Sequence, residues 1–326
     1  MAIELAYGDS MSGKSTGLEA LIRHNFNQTG KGARVYLGDG GGDSYNSHGL
    51  VDDGVIQLME YTYREWPMTI VKLMGDLYFP KDPTDPKSKL VAPPIDLFDK
   101  VGIIIFEGGT VMGQYLLNGP EGSMEWQAAQ QTGFGGVKDA ADELHVTDGS
   151  EYKEYNEQGS TTSKHYAIIQ RRILSCIRAS KKFPGLVYWT SHPTEGPDRT
   201  EGGESKGFGD IVGKKVIGPD FGGRAPVSLI SKEFGNTLHF DNVTIQKREA
   251  DETSKKQVTT INKEYRVYTR RHYDPNGQVN IEYVAGNRGA VPKMIEDYYV
   301  SKEPGDALLQ FYEAMSKAQQ SIKGVR

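Results

Sequence analysis

The sequence predicts an α/β fold, a mainly parallel central sheet flanked by helices and extended by antiparallel strands and a C-terminal helix. Three observations predict it. The apolar run Ala2 to Tyr7 feeds a glycine-bearing loop and a helical stretch, the most apolar run is the continuous VGIIIF of Val101 to Phe106, and strand and helix patterns alternate as far as Thr190. A continuous apolar strand suits a parallel sheet covered on both faces, and such sheets are wound by right-handed strand–helix crossovers. From Ala225 onward, β-branched and aromatic residues come in partial alternation between turn sequences, the pattern of antiparallel pairs.

The loop after the first strand, Gly8 to Thr16, reads GDSMSGKST and fits G-x-x-x-x-G-K-[ST] at Gly8, Gly13, Lys14 and Ser15. It lies between a strand and a helix, Gly17 to Phe26, as a phosphate-binding loop must. Small residues let successive backbone N–H groups curl around phosphate oxygens, and the helix N-terminus adds the positive end of its dipole. Lys14 reaches the β- and γ-phosphates, and the Ser15 hydroxyl suits a Mg²⁺ ion. The candidate nucleotide contacts are therefore Gly8, Asp9, Ser10, Met11, Ser12, Gly13, Lys14, Ser15 and Thr16.

The next strand is expected over Ala33 to Leu37, followed by Gly38 and Asp39. Asp39 admits two readings, an acid that polarises the attacking water or a turn residue before three glycines. A strand over Val55 to Tyr61 and a helix over Trp66 to Tyr78 follow, then a surface excursion at 79–94 with five prolines. Val101 to Phe106 ends at Glu107, an acid placed to hold the metal opposite Ser15 or simply a strand end. Residues 119–163 hold nine acids against two lysines and read as an insertion, an interaction surface or a mobile lid. A helix over Lys164 to Phe183 leads to the strand Leu186 to Thr190, which ends at Ser191 and His192. His192 is a candidate γ-phosphate sensor or a strand-end histidine with an ordinary hydrogen bond. The loop at 192–224 carries nine glycines and no clear periodicity. The dispersed histidines and single cysteine offer no structural zinc pattern.

Strands are then expected over Asn236 to Lys247, Lys256 to Arg270 and Val279 to Val284. The span Gln246 to His272 holds eight Lys or Arg against four acids, including Lys247, Arg248, Arg270 and Arg271. It is either a grip on phosphates, with tyrosines as stacking faces, or a solvated charged surface. Arg288, in a turn, is a candidate contact to a phosphate, its own or a neighbouring subunit's. The chain closes on a helix, Pro304 to Lys323, with Leu308, Phe311, Tyr312 and Met315 on one face. The expected division is a core over 1–240 and an extension over 241–326.

A net charge of −5 gives no global basic character, so any nucleic-acid contact must be local. The one cysteine, Cys176, falls in an apolar helical pattern and reads as a core thiol in a reducing compartment. Without a leader pattern or a membrane-length apolar run, a cytoplasmic protein is expected.

The phosphate loop, the strand ending at Asp39, IIIFE at Ile103 to Glu107, LVYWTSH at Leu186 to His192 and the glycine-rich loop after it resemble RecA-like P-loop ATPases in order. More narrowly the chain is similar to phage-encoded AAA-domain proteins with a RecA-like core, some of them recombination or single-strand annealing ATPases. GPDFGGRAPVSLISKEFGNTLHF and YVAGNRGAVP extend the similarity. The resemblance implies ATP and Mg²⁺ as cofactors, Lys14, Asp39, Glu107 and His192 as catalytic residues, and Ser15 with Glu107 as the metal pair. It also implies DNA, single-stranded above all, as partner, a homo-oligomer, and the host cytoplasm as location. Two other classes stay open, a P-loop phosphotransferase and a nucleotide-binding assembly protein.

Overall fold

The computed structural model describes residues 3–38, 42–60, 79–80, 90–91, 100–111, 113, 173–174, 177–178, 180–181, 183–196, 215–221, 230–250, 257–273, 281–287 and 295–323. The expected helix over Trp66 to Tyr78, Cys176, Asp39, Arg288 and the acidic segment 119–163 lie outside them. The fold is α/β, built on a mixed sheet of mostly parallel strands.

Six strands run parallel. They are β1 (Ile3–Tyr7), β2 (Gly32–Leu37), β3 (Ile56–Glu60), β6 (Val101–Glu107), β7 (Leu186–Ser191) and β10 (Asn236–Ala250), in the spatial order β10-β1-β7-β6-β2-β3. On the β10 side the sheet continues antiparallel through β11 (Gln257–Tyr268) and β15 (Tyr298–Ser301), and β14 (Gly286–Asn287) also pairs with β10. The proline-rich excursion contributes only the pair β4 (Phe79–Pro80) and β5 (Leu90–Val91), apart from the main sheet.

Two readings shift. The glycine-rich span holds β8 (Pro193–Gly196) and β9 (Lys215–Pro219), which pair antiparallel and join β13 (Ile281–Tyr283) and β12 (His272–Tyr273) in a second sheet. Valine and isoleucine at 216–217 suit a strand although the surrounding glycines hide any period. The boundary expected at residue 240 falls inside β10, because this strand pairs with β1 over Asn236 to His239 and with β11 from His239 to Ala250.

Both faces of the sheet are covered. The helix α1 (Lys14–Thr29) buries Leu18, Leu21 and Ile22, and the C-terminal helix α2 (Asp306–Lys323) buries Leu308 and Phe311, against Ala6, Val35, Ile103, Ile105, Leu238 and Phe240. On the other face lies an aromatic series, Tyr36–Phe106, Phe106–Trp189, Trp189–Phe221 and Phe221–Phe234, with centroids 4.4–6.4 Å apart. Ile104 and Phe106 are as buried as Ile103 and Ile105, the double-sided burial that the continuous run implied. Ile173 and Ile177, one helical turn apart, are buried as well.

Glu4 is among the polar groups enclosed in this core. Glu4 on β1 is 3% exposed, and its carboxyl accepts from Asn236 Nδ2 at 2.8 Å and from the Tyr188 hydroxyl at 3.3 Å. The Tyr188 hydroxyl in turn bonds that of Tyr312 on α2. Burial pushes the Glu4 carboxyl up to about 7, against a partial offset from these hydrogen bonds. The folded chain therefore keeps a proton that the unfolded chain loses, and stability falls as pH rises from the ordinary carboxylate range to about 7. Converted at 1.36 kcal/mol per unit, the loss is about 3 kcal/mol. Glu4→Gln is expected to abolish that slope and to be the more stable protein above neutrality. Urea midpoints of both proteins across this pH range check it, and parallel curves would refute it.

Candidate functional site

Because the six strands are parallel, their carboxyl ends share one edge, and the loops after β1, β6 and β7 meet there. The connection leaving β1 runs through α1 toward β2, whereas the one leaving β7 passes β1 to reach β10. Such a reversal of direction opens a crevice at the carboxyl edge of an open sheet.

The loop Gly8 to Gly13 fills that place. Gly13 caps α1 in the left-handed region, at φ 91°, and its missing side chain lets Pro304 and Tyr265 close in, each 3.1 Å from where a Cβ would stand. The first helical bond runs from Gly17 N–H to the Gly13 carbonyl at 2.8 Å, so the N–H groups of the first turn point into the loop. Met11 is held at φ 64° and is 81% exposed, with its carbonyl accepting from Asn242 Nδ2 at 2.8 Å. Lys14 folds back over the loop and donates to the carbonyls of Gly8 at 2.8 Å and Asp9 at 2.9 Å, with Ser12 Oγ at 3.5 Å.

The Ser15 hydroxyl donates to Glu107 Oε1. These residues are ninety-two positions apart, and Glu107 reaches Ser15 from β6 across the intervening β7. Glu107 is 4% exposed. A hydroxyl and a carboxylate side by side are hard oxygen donors of the kind Mg²⁺ takes together with phosphate oxygens and water. Among the described residues no group of three His, Cys, Asp or Glu could hold a metal by itself.

His192, half-buried at the end of β7, is fixed through its backbone. Its N–H donates to Thr110 Oγ1 at 2.9 Å, its carbonyl accepts from Asp220 N–H at 2.8 Å, and Thr110 Oγ1 also donates to the Asp220 carbonyl at 2.9 Å. The Gly108 N–H donates to Thr190 Oγ1 at 3.1 Å. The exits of β6 and β7 are thus tied to each other and to the segment following β9. Gly38 N–H donates to the Glu107 carbonyl at 3.0 Å, so the backbone leading to Asp39 begins beside the site, while Asp39 lies outside the described residues.

The basic residues are not gathered in one place. Past His239, β10 leaves β1 behind, and beyond the level of Asn242, where the pairing of β15 with β11 stops, β10 and β11 continue as a two-stranded ribbon. Lys247 pairs with Thr260 and Arg248 with Thr259, about 25 Å along the strand from the level of Tyr7. Arg270 and Arg271 follow the other end of β11. Arg270 is engaged by Asp297 at 2.5 Å and the Ile295 carbonyl at 3.1 Å, and Arg271 faces Glu282 at 3.9 Å.

Sequence reasoning missed His239 and Asn242, which β10 brings to the loop, and read Tyr265 on β11 only as a stacking face for nucleic acid. Only the hairpin register, which pairs Asn242 with Tyr265, would have set those two side by side. No helix among the described residues is long and apolar enough to cross a membrane. Comparison with protein-family models and with curated proteins finds no match to this chain.

Proposed function

We propose that the chain is a P-loop ATPase with a RecA-like core, which binds and hydrolyses Mg-ATP and couples the cycle to DNA. The observation that carries this reading is the meeting of Ser15 with Glu107 beside Lys14, at the crevice where the sheet reverses its winding. In this reading Lys14 exchanges the carbonyls of Gly8 and Asp9 for the β- and γ-phosphates, and the first turn of α1 supplies N–H donors. Ser15 and Glu107 would hold the Mg²⁺, which would supply positive charge to offset that of the phosphates. Asp39 is the proposed water-orienting acid and His192 the proposed γ-phosphate sensor. The clamp of His192 to Thr110 and Asp220 supports the second role, because it gives a change at the phosphate a rigid route to β9.

DNA, single-stranded by preference, is the proposed partner, in recombination, annealing, replication or packaging of a phage-like genome and through a homo-oligomer. Lys247 and Arg248 support a contact on the ribbon, away from the phosphate loop, with Arg288 as a further candidate. The involvement of Arg270 and Arg271 in internal ion pairs makes them the weaker part of that surface.

Phosphate release from Mg-ATP, measured with and without single- and double-stranded DNA at two salt concentrations, tests the proposal. Turnover that DNA stimulates, with a stimulation that fades as salt rises, is the expected result. Turnover indifferent to every DNA would remove the DNA coupling, and a phosphorylated acceptor in place of free phosphate would make the protein a phosphotransferase.

A further inference from the structure

The strand leading into the phosphate loop is packed on one side by an unusual set of rings. Tyr7, the residue before Gly8, stacks on His239 at 4.8 Å between centroids. His239 also stacks on Tyr283 at 4.4 Å, on His272 at 5.1 Å and on Tyr268 at 5.7 Å, and His272 lies 3.5 Å from Tyr268. The rings come from β1, β10, β11, β12 and β13, so the cluster joins the main sheet to the second one. Within it, His239 Nδ1 and His272 Nε2 are 2.9 Å apart.

Hydrogen placement in this pair follows from its neighbours. The other nitrogen of His272, Nδ1, lies 3.1 Å from the carbonyl oxygen of Tyr273. A carbonyl only accepts, so Nδ1 of His272 carries the hydrogen, and with a neutral His272 ring its Nε2 is the acceptor and His239 Nδ1 the donor. An added proton on His272 Nε2 would set two donors against each other, unless His239 moved its hydrogen to the far side of a ring that is 4% exposed.

We propose that the His239–His272 hydrogen bond is a latch that holds β10 against the strand feeding the phosphate loop, which makes His239 a positioning residue for that loop. The link to the loop is short. His239 is in register with Tyr7, and the next carbonyl, that of Phe240, would lie 2.2 Å from a Cβ on Gly8, so a shift of β10 is felt directly at Gly8. The groups around the pair are the phenols of Tyr7, Tyr268 and Tyr283, the Lys14 ammonium, and the Arg271 guanidinium with Glu282 beside it. Burial, then the His272 ring and Lys14, disfavour a charge on His239. Acid therefore works against the folded arrangement, and the latch is present above the ordinary imidazole range and lost as pH falls through and below it.

The latch concerns the loop's order and is testable without ligand, while its effect on affinity rests on the nucleotide-binding reading. Amide hydrogen exchange of the Tyr7 to Lys14 segment is compared in the nucleotide-free full chain at about pH 8 and about pH 5.5, on either side of the imidazole range and corrected for intrinsic rates. Protection is expected to fall about tenfold in acid, the factor that one net hydrogen bond supplies, while Ala33 to Leu37 on β2 keeps its protection. His272→Gln retains an acceptor that does not titrate, and is expected to stay protected at both pH values. His272→Phe keeps a ring without an acceptor, and is expected to be unprotected at both. Equal protection of the wild-type segment at both pH values, or an acid loss in His272→Gln equal to that of wild type, overturns the latch. If His272→Phe does not fold, the glutamine variant decides alone. Calorimetric titration with Mg-ATP on the same proteins is expected to show affinity following protection. Absence of binding at the higher pH would sink the nucleotide reading, with the exchange result still deciding the latch.

Discussion

Lys14→Ala is expected to reduce phosphate release from Mg-ATP by about a hundredfold or more, the scale of losing one preorganised charge-stabilising group at a reacting centre. The ammonium now bonds the carbonyls of Gly8 and Asp9, on a loop where Asp9 and Ser10 are exposed. Water can replace those bonds, so thermal unfolding should change little. Loss of turnover with an unchanged melting curve would place Lys14 in the chemistry. Full turnover in the variant would refute the proposed mechanism.

Gly8→Ala is expected to damage both the fold and nucleotide binding. A Cβ on Gly8 would stand 2.2 Å from the Phe240 carbonyl oxygen and 2.8 Å from Ser12 Oγ. Ser12 can rotate, but the carbonyl belongs to β10, which is fixed by its pairing to β1 at Ala6↔Leu238 and Tyr7↔His239. Relief therefore requires moving one of the two strands, at a cost of about 2–3 kcal/mol, the upper part of the range for overpacking. Gly286→Ala is the control, since a Cβ there meets nothing within 4 Å. Equal urea midpoints for these two variants would show that β1 and β10 are less tightly coupled than the geometry implies.

Local patterns carried a large part of the architecture. The loop Gly8 to Thr16, the run at Val101 to Phe106 and the helix face Leu308, Phe311, Tyr312 and Met315 were legible because each encodes its structure in its own residues. The glycines permit the turn, the continuous apolar run demands two covered faces, and the helical period builds one apolar stripe. The excess of positive charge after Gln246 was equally plain in composition, but composition does not say which strand end each cation occupies. The register settles that, and it separates Lys247 and Arg248 from Arg270 and Arg271.

The sequence by itself determined that a phosphate-loop motif follows the first strand, that a doubly covered strand ends in Glu107, and that the chain closes on an amphipathic helix. Only the tertiary structure decided that Glu107 reaches Ser15 past β7, that β10 lies parallel beside β1 while pairing antiparallel with β11, and that Glu4 is sealed beneath α2. The same holds for the meeting of His239 with His272. The division has a physical cause. Hydrophobic period and turn chemistry act over a few residues, whereas strand order is set by which distant apolar faces bury each other best, and no single segment contains that information.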